Sequence, residues 1–450
     1  MIITKGARRS IRCALLLTAL WAAVPGVGAA QAGDQALRVA IADRGGPREV
    51  RSFYAARPNQ PLWIVGGHVS PAADKLLDLI ASARLDGLDP DDYRPRALVS
   101  ALEGAASGSP RALARAEAAL TVSFVALARD MRRPRDVGVV YPDAVLRPRV
   151  PGVRELLMEA ASAPSMADYL ERIGWMNPLY AELRLAALAN GAPGPGGVGE
   201  ELTDREALRA NLDRLRALPA DLGRRYVLVD AASARLWMVA DGRAQGTMRV
   251  VVGKTAEPTP LMAALIKYAS LNPYWNLPPD LARSRIAAGA LSQGPGFLTA
   301  KRYQVLSDWS DDARPVDPST VDWQAVADGR IEARVRQLPG PGNAMGRVKF
   351  MFPNDKGVYL HDTPDKKLLK EDDRQFSAGC VRLEDAPRLG RWLTGRVLPI
   401  ARARPEQRLD LPQPVPVYIV YRTIAVENGR LVSRPDFYGR DGGERRYAAR

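Results

Sequence analysis

The chain has 450 residues, of which 46% are hydrophobic, and a formal net charge of +14; that is enough for two or three domains with substantial cores and speaks against a disordered chain. A basic balance admits nucleic acid, an anionic membrane or an acidic polymer as a partner. The sequence has no zinc-finger spacing, no RRM-type aromatic motif, no long basic helix and no Gly-rich phosphate loop, which excludes nucleic-acid recognition and nucleotide chemistry, and its two Cys and two His form no metal-ligand cluster.

Residues 1–32 carry Lys5, Arg8, Arg9 and Arg12, then an apolar run from Cys13 to Val24, then Ala30-Gln31-Ala32. This reads as a secretory signal peptide with an A-x-A cleavage site, too short for a comfortable membrane span; an uncleaved N-terminal anchor is the alternative. Its removal takes away four positive charges and no negative ones, leaving +10 with basic residues scattered among acidic ones, as on a solvated Arg-rich surface. It also leaves Cys380 as the only cysteine. A lone thiol in an exported protein has no intramolecular disulfide partner, so a nucleophilic role is favoured over a buried structural one.

Residues 36–190 read as a helical domain. Ser70 to Arg84 opens with Ser-Pro and places Leu76, Leu77, Leu79 and Ile80 on an amphipathic pattern, and further helices are predicted near 97–105, 110–131, 152–162 and 165–189. His68 reads as a loop residue, and Phe53, Tyr54 and Trp63 as core anchors in preference to glycan contacts. A Gly/Pro linker at 191–202 and a linking helical segment at 203–224 follow. From Arg225 the period changes to two, with strands in YVLVD, ARLWMV and TMRVVVG and a hairpin turn at Ala240-Asp241-Gly242-Arg243. Ile266 to Ser270, Val348 to Met351, Val358 to His361 and Pro416 to Val426 complete a β-rich domain over 225–426. Within it, 271–347 is a long insertion containing NPYWNLPP, a helix near 279–288 and LPGPGNAMG, and insertions of this length in compact domains are usually lids or binding elements. Residues 427–450 are a C-terminal extension.

The chemistry concentrates between Gly357 and Leu383. Val358 and Leu360 alternate with Tyr359 and His361, which puts His361 at a strand's end on the face opposite the aliphatic pair. Asp362, Thr363 and Pro364 break the strand, the polar run to Gln375 is a surface excursion, and the chain returns through Ser377-Ala378-Gly379-Cys380 in a tight turn. Asp385 then caps a helix whose stripe is Leu389, Trp392 and Leu393. A free thiol has a pKa of roughly 8.5 and needs a base or a cation nearby to ionise near neutrality. His361 can supply the base, and the small residues before Cys380 let a substrate approach backbone N–H groups able to hold an oxyanion.

His361, with fifteen residues between it and Ser377-x-Gly379-Cys380-Val381-Arg382, resembles the signature of the L,D-transpeptidases with a YkuD-type catalytic domain. GRVKFMFPN, YLHDTP and the closing PVYIVYRTIAVENGRL and RPDFYGRD resemble the large YcbB-like branch, weakly over residues 50–190 and strongly over 205–442. The resemblance implies an α+β protein: a helical scaffold domain, then a β-rich catalytic domain whose 271–347 insertion is a substrate-capping subdomain. The Gly/Pro-rich stretch of about ten residues at 191–200 cannot hold the peptidoglycan-binding module found at this place in many members. By resemblance, Cys380 is the nucleophile and His361 the general base, and the N–H groups of Ala378, Gly379 and Cys380 form an oxyanion hole. Asp362, Ser377 and Arg382 support the site, with Arg382 available to a substrate carboxylate or to a structural ion pair; Tyr359 touches substrate, and Tyr274 and Trp275 either line the substrate groove or pack the insertion onto its own domain. The partners implied are peptidoglycan stem peptides, with no cofactor, no metal and an exported location. The departure is Ala378, where the family usually has His; the N–H survives and the imidazole does not. Alternatives are an L,D-carboxypeptidase, an enzyme attaching a protein to peptidoglycan, and a catalytically silent cell-wall scaffold.

Overall fold

The computed structural model describes residues 35–36, 39–40, 47–57, 60–190, 202–400 and 404–442. The expected signal peptide and nearly all of the Gly/Pro linker lie outside the described residues. Among the described residues no helix is long and apolar enough to cross a membrane, and no group of His, Cys, Asp and Glu could hold a metal ion. The architecture is α+β, with a helical N-terminal scaffold and a β-rich catalytic domain.

The scaffold helices are α1 Arg48–Ala55, α2 Ala72–Ala81, α3 Pro95–Ala105, α4 Pro110–Met131, α5 Val153–Ser162, α6 Met166–Glu171, α7 Pro178–Ala189 and α8 Leu202–Arg216. Helix α4 is central because its sequence supports both a start and a buried stripe. Ser109 accepts a hydrogen bond from Ala112 N–H, Pro110 occupies the first turn, and Leu113, Leu120, Phe124, Leu127 and Met131 are buried. The Phe124 ring meets the edges of Trp63, Trp175 and Tyr169 at centroid distances of 6.0, 5.4 and 6.4 Å, so Trp63 is a core anchor; Phe53 and Tyr54 are buried as well. His68 is exposed on a two-residue strand. The single helix expected over 165–189 is two. Ile173 takes a left-handed φ of 51°, and Asn177 caps the second helix by accepting from Tyr180 N–H, because Pro178 cannot continue a helix and biases the residue before it out of the helical region.

The catalytic domain is built on nine strands: β1 Arg225–Asp230, β2 Arg235–Ala240, β3 Arg243–Gly253, β4 Met262–Leu271, β5 Val348–Met351, β6 Leu360–His361, β7 Gln375–Ser377, β8 Val381–Leu383 and β9 Gln407–Val420. Their order is β7-β3-β8-β6-β5-β4-β9-β1-β2, and an additional β2–β3 pairing closes the sheet on itself with β7 appended at the side. Closure explains why several strands read as nearly unbroken apolar runs. Val227 and Val229 of β1, and Val417 and Ile419 of β9, point into the core enclosed by the sheet. The alternate residues Tyr226, Leu228, Tyr418 and Val420 join the core of the scaffold helices. Both faces are buried there, so both must be apolar. The strand expected over Pro416–Val426 is instead the long β9 followed by a separate hairpin of Ile424–Glu427 with Arg430–Ser433.

The insertion leaves the sheet where β4 ends and returns where β5 begins, at the register pair Leu271 and Val348. It has its own small core around Leu277, Ile286, Leu298, Val305, Trp323 and Val335, and a four-stranded sheet of Trp275–Asn276, Arg334–Gln337, Tyr303–Leu306 and Pro315–Val316. Its root therefore adjoins the strand that pairs with β6, which ends in His361.

Candidate active site

Strand register assembles the site. Strands β6 and β8 run parallel, with Leu360 opposite Val381 and His361 opposite Arg382. Leu360 and Val381 are fully buried in the enclosed core. Period-two alternation then sends Tyr359 and His361 from one strand, and Cys380 and Arg382 from the other, to the opposite face. On the far side of β6, β5 is antiparallel and pairs Lys349 with His361, which adds a cation to the same face. Five chemically active side chains thus share one surface because an apolar pair between them is anchored inside.

His361 is 2% exposed. Its Nδ1 lies 2.6 Å from the carbonyl oxygen of Asp362, an acceptor, so Nδ1 carries the proton and Nε2 is left with a free lone pair. Burial, aided by the positive charge of Arg382, pushes the imidazole down to about 3, so the ring is neutral throughout the physiological range. Tyr359 meets it edge-on at 5.7 Å.

Cys380 keeps partial exposure, and its thiol donates to the Gly357 carbonyl at 3.7 Å. Burial of the sulfur pushes the thiol above its ordinary value; the N–H and hydroxyl of Tyr359, both donating to sulfur, and the charges of Arg382 and Lys349 pull the other way without overcoming it. The resting pair is therefore a neutral thiol and a neutral imidazole. Lys349 is 9% exposed, with Nζ 3.0 Å from Glu406 Oε1 and 5.8 Å from the centre of the Tyr359 ring.

The turn that presents Cys380 is held from several sides. Gly379 has a φ of +98°, open to glycine and strained for any L side chain. Ser377 Oγ donates to the Cys380 carbonyl at 2.5 Å, and Thr259 Oγ1 donates to the Gly379 carbonyl at 3.0 Å while accepting from Gly253 N–H at 2.8 Å. Tyr438, from the closing RPDFYGRD motif, extends the brace: its hydroxyl donates to Gly253 O at 2.6 Å and accepts from Thr259 N–H at 3.3 Å. With the carbonyls thus engaged, the N–H groups of Ala378, Gly379 and Cys380 find no acceptor among the described residues. Three unsatisfied donors in one turn beside a thiol are suited to a developing oxyanion.

Asp362 ties the site to the insertion. Its carboxylate accepts from Arg347 N–H at 2.9 Å and pairs with Lys366 at 2.8 Å, and Lys366 also donates to the carbonyls of Leu383 and Glu384. A Cβ on Gly346 would come within 2.4 Å of that carboxylate, so the returning chain needs glycine there. The polar excursion after His361 is in this way bolted to the end of β8, with Leu369 buried beneath it. Tyr274 and Trp275 lie at the root of the insertion: Tyr274 stacks under Arg336 at 4.2 Å and its carbonyl accepts from Lys349, while Trp275 packs on Tyr303 at 6.3 Å. Beyond the cysteine turn, Asp385 caps the Ala386–Thr394 helix as expected, with Leu389 and Leu393 buried; the short strand β8 precedes it. Sequence reasoning missed Lys349, Thr259, Glu406 and Tyr438. Only Lys349 left a signal, as the polar position in an otherwise apolar Val348-Lys-Phe-Met run.

Residues 224–419 match the L,D-transpeptidase catalytic domain family, and residues 48–186 match the scaffold domain family. A curated protein of Haemophilus influenzae named "Putative L,D-transpeptidase" is 28% identical over 291 residues, covering 63% of this chain and 57% of the relative, so the chain spans little more than half of that protein's length. Two solved structures are similar over less than half of the chain. The Ldtfm-avibactam carbamoyl enzyme has 13% identity and a TM-score of 0.21, covering 44% of this chain and 49% of its own. An L,D-transpeptidase from Mycobacterium smegmatis has 11% identity and a TM-score of 0.22, covering 45% and 61%. Together with the sequence signature, the family matches identify residues 224–419 as a YkuD-type L,D-transpeptidase catalytic domain that follows a scaffold domain at residues 48–186.

Proposed function

We propose that this protein crosslinks peptidoglycan stem peptides through a thioester on Cys380. In the first half-reaction Cys380 Sγ attacks the carbonyl of the third residue of a donor tetrapeptide, and the thiol proton passes to Nε2 of His361. The N–H groups of Ala378, Gly379 and Cys380 hold the oxyanion. Collapse of the tetrahedral intermediate breaks the C–N bond, His361 returns the proton to the leaving amine, and D-alanine departs. In the second half-reaction the side-chain amine of another stem attacks the thioester, its proton passes to His361, and the regenerated thiol is the leaving group. A thiol pushed up by burial cannot ionise in advance, so the neutral imidazole has a proton to remove as the bond forms.

The observation that carries this reading is the β6–β8 register, which sets a neutral, base-competent His361 and the Cys380 thiol on one face of a transpeptidase-type domain. The role of Asp362 is to fix the imidazole through its carbonyl, and that of Ser377 to fix the turn. The substrate lies outside the cytoplasm, so the reading carries with it export to the periplasm or cell wall. The test is mass spectrometry of the purified mature protein with muropeptides and with a carbapenem. Crosslinked muropeptides and one adduct per chain, both lost in Cys380→Ala, are expected. An adduct persisting in that variant overturns the nucleophile, and release of D-alanine without crosslinks replaces transpeptidation by carboxypeptidation.

A further inference from the structure

The closing RPDFYGRD motif ties helix α8 to the cysteine turn through a series of hydrogen bonds. On α8, Leu208, Leu212 and Leu215 are set in the scaffold core, while Asn211 and Arg214, three residues apart and so on one side of the helix, bond to the C-terminal segment. Arg214 is buried, and its guanidinium donates to the Arg440 carbonyl at 2.8 Å, to Asp441 Oδ1 at 2.7 Å and to Thr423 Oγ1 at 3.3 Å. The Asp436 carboxylate fixes the segment by accepting from the Arg440 N–H, the Asp441 N–H and the Tyr421 hydroxyl at 2.9, 2.8 and 2.9 Å. From there the Arg440 guanidinium donates to the Thr259 carbonyl at 3.2 Å and lies 4.8 Å from the centre of the Tyr438 ring.

Thr259 is wholly buried in the loop between β3 and β4, and its Oγ1 donates to the Gly379 carbonyl at 3.0 Å. The loop has no slack, since a Cβ on Gly253 would come within 2.6 Å of the Thr259 nitrogen. The Gly379 carbonyl and the Cys380 N–H belong to one planar peptide and point in opposite directions. Holding the carbonyl down on Thr259 therefore turns the Cys380 N–H to the other side of the turn, where it finds no acceptor among the described residues. Rotation of this single peptide would put a carbonyl where the donor was. Gly379, at a φ of +98°, offers little resistance to such a rotation, so the bond from Thr259 decides which group is presented.

We infer that Arg214 and Arg440 are positioning residues for the oxyanion turn: through Thr259 they set the plane of the Gly379–Cys380 peptide, so that helix α8 governs whether the Cys380 N–H faces the reacting carbonyl. The inference rests on the thioester reading of Cys380 and adds to it a route by which the scaffold acts on acyl transfer. Loss of either arginine frees the Thr259 loop and lets the peptide rotate. The thiol and the imidazole stay where the β6–β8 pairing holds them, and the charges pulling on the thiol, those of Arg382 and Lys349, stay in place.

The experiment compares a reaction that needs the oxyanion hole with one that does not. Acylation of Cys380 by a carbapenem passes through an oxyanion, whereas alkylation by iodoacetamide displaces iodide at a tetrahedral carbon and forms none. Both rates, and alkylation against pH, are measured for the mature wild-type protein, Arg440→Met, Arg440→Lys, Arg214→Met and Thr259→Val, with thermal unfolding to show that each is folded. Cys380 is the only cysteine of the mature chain, so labelling with heavy-nitrogen cysteine gives one amide resonance that reports on this peptide directly. In Arg440→Met acylation should fall about tenfold or more, toward the roughly 10²–10³ that loss of one oxyanion donor costs. Alkylation and its pH profile should not change, and the amide resonance should move toward its position in Thr259→Val. Arg440→Lys should restore both in part, and Arg214→Met should follow Arg440→Met. Acylation and alkylation falling together in Arg440→Met, or neither acylation nor the resonance changing, overturns the inference, whether or not Arg214→Met folds. A folded Arg214→Met indistinguishable from wild type overturns the part given to α8. A resonance that follows Arg440 and Thr259 in a protein that no carbapenem acylates leaves the positioning standing and overturns the thioester reading instead.

Discussion

Tyr359 lies across from Cys380 at the entrance of the parallel β6–β8 pair, one step before the Leu360–Val381 register pair, and donates to its sulfur from both N–H and hydroxyl. The sequence reading had Tyr359 touching substrate. The geometry adds a second task, because a hydroxyl bonded to sulfur stabilises the thiolate over the thiol.

Tyr359→Phe keeps the ring and removes that donor. Hydrogen bonds to charged groups contribute roughly 1.5–3 kcal/mol, so alkylation of Cys380 by iodoacetamide at fixed pH should fall about tenfold or more, with its pH profile displaced upward. Unchanged alkylation with a raised KM for the donor would return Tyr359 to the role of a substrate contact.

Lys349 acts on the same equilibrium through space. It is cross-strand from His361, nearly buried and clamped by Glu406, and its charge favours thiolate at Cys380 and disfavours imidazolium at His361. Lys349→Met should push the thiol further up, and Lys349→Arg should restore the profile. The groups facing the thiol are Tyr359, His361, Arg382 and Lys349, with Glu406 as the counter-charge on Lys349. Alkylation rate against pH for the three proteins checks the direction; a profile identical in wild type and Lys349→Met would make the lysine purely structural.

Much of this site was legible in the sequence, because its key signal is local. The alternation from Val358 to His361 assigned the aliphatic pair to the interior and His361 to the opposite face, and the structure has both. The small residues before Cys380 marked the turn that Gly379 makes with its positive φ. What was not legible is long-range. His361 ends strand β6 as expected, but its near-complete burial, with β5 paired alongside it, depends on neighbours distant in sequence. Thr259 bonds to Gly379 across 120 residues and Tyr438 to Gly253 across 185, and no local period reports such contacts. The closure of the sheet and its packing against the scaffold helices, which together explain why β1 and β9 are apolar on both faces, were likewise invisible in either strand by itself.

The Ala378 position tests whether the imidazole usual in the family matters. The Ala378 N–H has no acceptor among the described residues, and the residue is exposed, so the donor function is intact. Ala378→His should shift the pH dependence of acylation by less than about one unit, equivalent to roughly 1.4 kcal/mol. A larger acid shift with faster acylation would show that the side chain tunes the thiol.

Tyr438→Phe probes the brace without touching the thiol. It leaves the Gly253 carbonyl without its donor and the Thr259 N–H without its acceptor, and an unsatisfied buried group costs about 1–3 kcal/mol. Thermal stability and the acylation rate should both fall, while the pH at which Cys380 alkylation is half-maximal stays fixed, since no charge near the sulfur changes. A displaced pH midpoint would mean that the C-terminal segment tunes the thiol as well as supporting its turn.

Two buried groups give the stability curve opposite slopes. His361 is pushed down to about 3 in the folded protein against about 6.5 when exposed, so the unfolded chain binds the extra proton between those values. Its contribution is complete above 6.5 and is lost as the pH falls toward 3, by at most about 1.4 kcal/mol per pH unit. Glu117 in the scaffold is pushed up to about 7 by burial, although Tyr54, Leu62 and Trp63 donate to its carboxylate. Here the folded protein holds the extra proton, so the contribution is complete below about 4.5 and is lost as the pH rises through 7. Between 4.5 and 6.5 the two oppose each other, and the wild-type curve should be nearly flat. Urea denaturation across that range should give His361→Asn a stability that declines with rising pH, because the opposing slope has been removed. A flat curve in the variant would mean that Glu117 is ionised in the folded protein and that its three donors outweigh burial.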